Sequence, residues 1–165
     1  MAKSDTEDTM RLLFQQRFSF GLDKYDIYNE QGDTVFTVRS RFAFGRKLEI
    51  YDRAGNLVGT LVGKVFTFLP TFEMYIGDRM VGVIQKKMTF FRPEFIIDCK
   101  GWSVNGDWWG WDYTINDSMG IPQGRVTKEM AWTDTYMLDI YDDTDALTVL
   151  MIVIAIDAEK DDRSN

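Results

Sequence analysis

The sequence contains no histidine among its 165 residues and only one cysteine, Cys99. The lack of histidine excludes serine–histidine triads, histidine metal sites and histidine proton shuttles. A single cysteine cannot form a disulfide within the chain, which is typical of proteins in reducing compartments. We therefore expect a cytoplasmic protein, either free or peripheral at a membrane, in which Cys99 is a small buried residue rather than a nucleophile.

Long apolar runs are lacking as well. The longest candidate is Ala146–Ile156, eleven residues in which only Thr148 is not apolar. As a helix rising 1.5 Å per residue, this run would reach only about 16 Å, whereas a membrane-spanning helix needs about 20 apolar residues. We therefore expect no transmembrane segment.

Motifs that carry catalysis are also missing. The chain has no glycine-rich phosphate loop, no nucleophile elbow and no cluster with the spacing of metal ligands. One acidic group could bind Ca²⁺, but its spacing does not match an EF-hand loop, and helix capping with solvation explains most of it. Its members are Asp134, Asp139, Asp142, Asp143 and Asp145. The sequence therefore predicts neither an enzyme nor a cofactor or metal site, although a fold could still bring distant carboxylates together for catalysis.

Charge is distributed unevenly along the chain, whose net formal charge is −7. Residues 11–100 carry 14 basic and 10 acidic groups, whereas residues 101–165 carry 4 basic and 13 acidic groups. Two basic stretches lack acidic residues: the one between Asp33 and Glu49, and the one from Arg79 to Arg92. Without a dominant basic surface, no nucleic-acid partner is expected.

One tetrapeptide pattern recurs, with apolar first and third residues. Four copies have an acidic second residue and end in tyrosine: Tyr25–Tyr28, Leu48–Tyr51, Phe72–Tyr75 and Leu138–Tyr141. Two weaker copies are Phe95–Asp98 and Tyr113–Asn116. Because alternate residues of a strand face opposite sides, this pattern predicts a half-buried strand at each of the six sites.

Turns with glycine follow several copies, and each turn precedes another apolar stretch, as expected for hairpins. Asn105-Gly106 is the strongest two-residue hairpin signal and predicts the tightest turn, between strands containing Val104 and Trp108. With an opening strand near Leu12 to Phe20, about twelve mostly antiparallel strands are predicted.

Twelve antiparallel strands favour a closed barrel, whose lumen must be filled. The run Ala146–Ile156 can fill it as a helix that is apolar on every side, with Asp142 to Asp145 as cap candidates. A thirteenth, buried strand explains the same run, and its Ile and Val content favours that alternative. The pattern alone leaves both open.

The chain resembles the LURP-one-related branch of the Tubby C-terminal-like superfamily from about Met10 to Ala158. The resemblance depends on the order and spacing of Lys24–Tyr28 with Gly32, Phe90–Phe95, Gly106–Ile115 and Leu150–Asp157. It implies a mainly β fold: a closed, roughly twelve-stranded antiparallel barrel around a central hydrophobic C-terminal α-helix. On this basis we expect a disordered tail over residues 1–10, the barrel over 11–158 with its helix at about 144–158, and a polar tail over 159–165.

The resemblance also suggests a function, since Tubby domains bind phosphatidylinositol bisphosphate through surface Lys and Arg. We expect a non-catalytic binding or scaffold module for a protein partner or for an anionic phospholipid or phosphoinositide headgroup. The alternative is an enzyme or a scramblase-like lipid handler that uses a pocket at a barrel mouth. The candidate headgroup ligands are the cations of the basic stretches together with Lys64: Arg39, Arg41, Arg46, Lys47, Lys64, Lys86, Lys87 and Arg92.

Four tryptophans, Trp108, Trp109, Trp111 and Trp132, could form a stacking platform or lie at a membrane interface. Packing is the preferred interpretation, with Trp109 and Trp111 on one face of a strand and Trp108 on the other.

Overall fold

A computed structural model describes residues 9–15, 24–42, 45–65, 67–88, 93–129 and 135–161. It contains twelve strands, a 3-10 turn at Asp143–Asp145 and one α-helix, α1, at Ala146–Asp161. The strands are β1 Met10–Gln15, β2 Lys24–Tyr28, β3 Thr34–Phe42, β4 Arg46–Asp52, β5 Leu57–Gly63, β6 Thr71–Ile76, β7 Arg79–Met88, β8 Pro93–Asp98, β9 Ser103–Asp107, β10 Asp112–Asn116, β11 Pro122–Lys128 and β12 Thr135–Ile140.

The strands form a single closed barrel in which each strand pairs antiparallel with its neighbours in sequence and β1 pairs with β12. The predicted twelve-stranded antiparallel barrel is confirmed. Successive connections alternate between its two ends. We call the end where α1 begins the helix-entry end, and the end where α1 finishes the helix-exit end.

The repeated tetrapeptides mark the even-numbered strands. Their first and third residues face the interior, as the fully buried Ile50, Met74 and Leu138 show. The acidic second residues, such as Glu73 and Asp139, lie on the outer side. The alternation therefore predicted correctly which side of each strand is buried.

Three connections at the helix-entry end share one geometry, at 29–33, 52–56 and 117–121. In each, the first residue donates its N–H to the carbonyl of the fifth and accepts the N–H of the fourth, a glycine. These glycines have φ between 80° and 84°, a left-handed conformation that glycine adopts without steric cost. Turns with glycine were predicted to follow several copies of the repeated tetrapeptide, and those at 29–33 and 52–56 are confirmed.

The tightest turn does not lie at Asn105-Gly106. Both residues belong to β9, and the chain reverses at 108–111, with Asp107 opposite Asp112. Gly106 instead allows close approach of strands, because a Cβ there would lie 2.6 Å from the Asp112 carbonyl oxygen. Two features define this turn. The Asp107 carboxylate accepts the Gly110 N–H at 2.9 Å, and Trp111 at the end of the turn adopts a left-handed φ of 61°.

Helix α1 fills the barrel. Every residue from Val149 to Ile156 has no exposed surface, and fully burying a large apolar side chain contributes roughly 1.5–3 kcal/mol. Of the two interpretations that the pattern left open, the helix is confirmed. Burial on all sides outweighs the strand propensity of its isoleucines and valines.

The helix ends later than predicted. It begins at Ala146, after a 3-10 turn whose N-cap Asp142 accepts the Thr144 N–H, and it continues to Asp161 rather than stopping near 158. Glu159 and Lys160, expected to open a polar tail, are therefore helical and buried. Met10, placed in the N-terminal tail, begins β1, while residues 1–8 and 162–165 lie outside the described residues.

Candidate functional site

Cations converge on the outer surface of β3 to β6. Val38 is fully buried, so the alternating residues Arg39 and Arg41 project outward, and Lys47 of β4 is the register partner of Arg41. Lys64 follows β5 and reaches Glu73 on β6. We call this surface, comprising Arg39, Arg41, Lys47 and Lys64 with Glu49 and Glu73, the cationic face.

Glu49 organises the β3–β4 half of this face. Its carboxylate lies 3.0 Å from both Arg41 Nε and Lys47 Nζ and accepts a 2.9 Å hydrogen bond from the Tyr51 hydroxyl. Burial raises the pKa of Glu49, but the hydrogen bonds and positive charges outweigh burial, so its pKa falls below the ordinary value. Glu49 is therefore ionised at neutral pH and keeps both cations in position.

The same arrangement recurs on β6. Lys64 Nζ lies 2.9 Å from a Glu73 carboxylate oxygen, and the Tyr75 hydroxyl donates to Glu73 at 2.8 Å. Hydrogen bonds from Lys64 and Tyr75 lower the pKa of Glu73. The acid-x-Tyr part of the repeat thus has a physical role, because residues two apart in a strand share a face and the tyrosine can donate to the carboxylate.

The cationic face keeps a positive balance despite these pairs, since its four cations oppose two carboxylates. The Arg41 side chain is 62% exposed and those of Lys47 and Lys64 are 44% exposed. The Arg39 guanidinium lies 4.8 Å from the centroid of the Tyr51 ring, a cation–π contact. Sequence reasoning missed Lys24, which is the register partner of Arg39 and is exposed beside it.

Two predicted headgroup ligands point into the barrel instead. Arg46 donates from Nη1 to the Ala158 carbonyl at 2.8 Å, and Lys86, 1% exposed, lies 3.8 Å from Glu159. Both cations sit where α1 ends and its last carbonyls carry partial negative charge, which they stabilise. Lys87 is exposed on β7, and Arg92 lies outside the described residues.

Lys160 adds a third cation at this end of the helix. Its Nζ lies 3.1 Å from the centroid of the Trp111 ring and donates to the Trp109 carbonyl at 3.1 Å. Asp157 and Glu159, near the C-terminal end of α1, oppose the favourable arrangement of charge along the helix dipole. The helix continues, and Lys160 compensates together with Arg46, whereas Arg163 lies outside the described residues.

The combination of buried and exposed tryptophans differs from the predicted one. Trp108 and Trp111 are both buried, and Trp111 stacks on Tyr136 with ring centroids 3.9 Å apart. Trp109, predicted to share the face of Trp111, is 55% exposed, because the turn at 108–111 replaces the expected strand. Packing is confirmed for the buried pair, and Trp132 lies outside the described residues.

A pocket of about 300 Å³ opens at the helix-exit end beside the cationic face. Among its described lining residues are Arg46, Lys64, Thr71 and Phe72, with Glu159 as the one carboxylate. Acid–base catalysis by a pair of carboxylates would require a second carboxylate beside Glu159, and the described lining residues include none.

Three residues of the acidic group considered for Ca²⁺, Asp139, Asp142 and Asp145, have separate partners. Asp139 pairs with Arg11 and Asp145 with Lys100, each at 2.6 Å, while Asp142 caps the 3-10 turn. Asp143 is exposed, and Asp134 lies outside the described residues. Across the described segments, no three Cys, Asp or Glu side chains converge in a way that could hold a metal ion.

Cys99 is buried, and this burial raises the pKa of its thiol, which keeps the thiol protonated at neutral pH. Its Cβ occupies the space beside Gly82, where an added Cβ would lie only 2.6 Å away. These contacts fit the predicted role as a small buried residue.

Fold and surface together define a closed antiparallel barrel plugged by its own C-terminal helix, with a cationic outer face. Residues 10–157 match the LURP-one-related family, and the chain belongs to that family. It is 31% identical to YxjI of Bacillus subtilis strain 168 over 144 residues, covering 87% of this chain and 88% of YxjI.

The fold is also that of a solved structure, the X-ray structure of the Arabidopsis thaliana protein AT5G01750. The two share 13% identity with a TM-score of 0.64, over 92% of this chain and 91% of the plant protein. The predicted Tubby C-terminal-like fold is therefore confirmed. In the described part of the chain, the single helix is too short to cross a bilayer.

Proposed function

We propose that this barrel is a non-catalytic binding module whose cationic face holds the headgroup of an anionic phospholipid or phosphoinositide. The observation that carries the proposal is the convergence of Arg39, Arg41, Lys47 and Lys64 on one outer surface, in a chain of net charge −7. A local positive surface on an acidic protein directs an anionic ligand to that surface alone.

The ion pairs of the face support ligand binding rather than oppose it. Glu49 holds Arg41 and Lys47 side by side, yet both side chains keep large exposed fractions. The exposed side of each pair is the cation, because Glu49 itself is only 7% exposed. A phosphate can therefore share these cations with Glu49 at little cost, and it meets donors whose positions are already organised.

The plugged interior supports the non-catalytic part of the proposal. Helix α1 occupies the space that a wide barrel would otherwise offer to a substrate. We place the protein in the cytoplasm, where it would attach peripherally to the membrane. Each basic group near an anionic membrane surface contributes about 1 kcal/mol, so four such groups suffice for reversible attachment.

Vesicle flotation tests this function. Wild type should float with phosphatidylcholine vesicles that contain 30 mol% phosphatidylserine or 5 mol% phosphatidylinositol bisphosphate, and not with phosphatidylcholine alone. Retention should fall as salt is raised, because salt screens exposed charges. Failure of wild type to float with either anionic vesicle at low salt would refute the proposal.

The matched variants are Arg41→Gln/Lys47→Gln on the cationic face and Arg53→Gln/Arg79→Gln at the helix-entry end, where both arginines are exposed. Each pair removes two positive charges. Only the first pair should lose retention, and equal loss in both would show that net charge, not the face, controls binding.

A further inference from the structure

The connection between β5 and β6 exposes apolar side chains without covering them. Phe68 is fully exposed and Val65 is 55% exposed. A phenylalanine side chain gains roughly 1.5–3 kcal/mol from burial. The 117–121 connection at the helix-entry end also exposes two apolar side chains, Met119 and Ile121. What distinguishes the β5–β6 connection is the cationic surface beside it, and apolar and cationic groups together indicate a site of contact.

Hydrogen bonds at the base of this connection fix it in place. The Lys64 N–H donates to the Thr71 carbonyl at 2.9 Å, and the Thr67 hydroxyl donates to the Lys64 carbonyl at 3.2 Å. On the far side, the Lys86 N–H donates to the Pro70 carbonyl at 2.9 Å. The backbone is thus tied to its neighbours on both sides while Phe68 projects into solvent.

The connection lies at the helix-exit end, and the surrounding groups match a lipid surface. Lys64 and Val65 line the same pocket as Glu159 of α1. Trp109, whose carbonyl binds Lys160, is also exposed at this end. Tryptophan and phenylalanine beside lysine are the residues that settle in the headgroup layer of a bilayer.

The distribution of charge also favours an orientation in which the helix-exit end faces the bilayer. The turns at the helix-entry end carry Asp33, Asp52, Asp78, Asp117 and Asp142, all exposed or partly exposed. An anionic membrane repels that end and attracts the end that carries Lys47 and Lys64. Charge complementarity therefore favours a bilayer as the surface that covers Phe68.

We infer that two described residues of the β5–β6 connection, Val65 and Phe68, enter the interfacial layer of an anionic bilayer while Lys64 contacts headgroups. The inference rests on the proposed headgroup binding and deepens it, because it makes a bilayer, rather than a free headgroup, the binding surface. Apolar insertion adds an attraction that salt does not screen.

Substitution of Phe68 tests the inference with the same phosphatidylserine vesicles. Phe68→Ser should reduce the partition coefficient about tenfold, since it removes a phenyl group from the interface. The substitution should leave the unfolding midpoint unchanged, because the side chain is fully exposed. Leu57→Ser, at a 51% exposed residue of the helix-entry end, is the matched control and should retain wild-type binding.

An environment-sensitive probe reports insertion directly. Val65→Cys labelled with nitrobenzoxadiazole should shift to shorter wavelength on vesicles and become protected from an aqueous quencher. Ala54→Cys, exposed in the β4–β5 turn, should show neither change. The native Cys99 is 2% exposed and need not be replaced.

The two proposals fail in different ways. If wild type floats and Arg41→Gln/Lys47→Gln does not, while Phe68→Ser binds normally and the probe at position 65 stays in water, headgroup binding stands and insertion is overturned. Phe68 would then be assigned to contact with a protein. If wild type does not float at all, headgroup binding fails, and insertion fails with it.

Discussion

The two ends of the barrel are built from the same strands but differ in chemistry. At the helix-entry end, asparagine and aspartate side chains hold the turns: Asn29, Asp52, Asp117 and Asp142 each accept a backbone N–H two to four residues ahead. At the helix-exit end, cations meet the last turn of α1, and Phe68 and Trp109 face solvent. The helix-entry end therefore holds its turns with acidic and amide side chains, whereas the helix-exit end combines cations with exposed aromatic side chains.

The difference follows from what each end must stabilise. Short hairpin turns need left-handed glycines and local acceptors, which glycine and Asx residues supply. The end of a buried helix needs positive charge for its unpaired carbonyls, which Arg46 and Lys160 supply. Aspartates thus predominate in the turns of the helix-entry end, although Arg53 and Arg79 are also exposed there, and cations surround the last turn of α1 at the other end.

The largest effect is expected from the buried ion pair at the helix-exit end. Lys86→Met removes the buried cation 3.8 Å from the buried Glu159 carboxylate and should cost about 3–5 kcal/mol in the free energy of unfolding. Chemical denaturation with urea measures it. The double variant Lys86→Met/Glu159→Met should recover most of the loss. A cost below 1 kcal/mol for the single variant would show that the pair does not secure this end.

A smaller effect is expected from the turns of the helix-entry end. Gly55→Ala should destabilise the barrel by about 1–2 kcal/mol, because alanine at φ 84° pays the left-handed penalty. No heavy atom lies within 4 Å of the added Cβ, so the cost reports backbone conformation alone. Arg53→Ala in the same turn is the control and should be close to neutral; equal losses in the two variants would contradict this explanation.

The carboxylates of these turns should make stability depend on acid. Hydrogen bonds from the Asn56 side chain and backbone lower the pKa of Asp52 below its ordinary value of 3.8. A lowered pKa stabilises the fold wherever Asp52 is ionised, so the contribution is complete above pH 3.8 and disappears as pH falls through the folded-state pKa.

Urea midpoints of wild type and Asp52→Asn measure this contribution between pH 7 and pH 3. The advantage of wild type should be constant from pH 7 to about pH 5 and should shrink below pH 3.8. Lys100→Gln, at the same end but paired with Asp145, serves as the control for a change of charge. A wild-type advantage that grows on acidification would reverse the assigned sign.

Strand alternation explains why so much of the barrel could be predicted from the sequence. A period of two is local information, and it placed Ile50 and Met74 inside without knowledge of the neighbours. The prediction of the β9–β10 turn was wrong, because its position is not determined by local sequence alone. Asn105-Gly106 has the local signal, but the chain reverses at 108–111, where Lys160, 51 residues after Trp109, donates to the Trp109 carbonyl and lies over the Trp111 ring.

The site was predicted less well because a basic stretch was treated as one surface. Adjacent residues of a strand face opposite sides, so Arg46 and Lys47, and likewise Lys86 and Lys87, separate into inner and outer members. The same alternation that identified the core could have assigned them, since Lys86 continues the buried side of Ile84. Exposure of Phe68 had no comparable signal, because an apolar residue in a connection is equally compatible with burial.

The smallest effect is expected on the cationic face. Arg41→Gln removes one of the two cations 3.0 Å from Glu49 and should change stability by less than about 1 kcal/mol, because the Arg41 side chain is 62% exposed and Lys47 and Tyr51 still contact the buried Glu49 carboxylate. Urea denaturation compares it with Lys86→Met, which removes a cation from the interior. A loss above about 1.5 kcal/mol would mean that the face is structural, so that lost vesicle retention in Arg41→Gln/Lys47→Gln could reflect unfolding. A near-neutral result means that the outer cations, unlike those around α1, are not required for folding, as expected of groups available to a ligand.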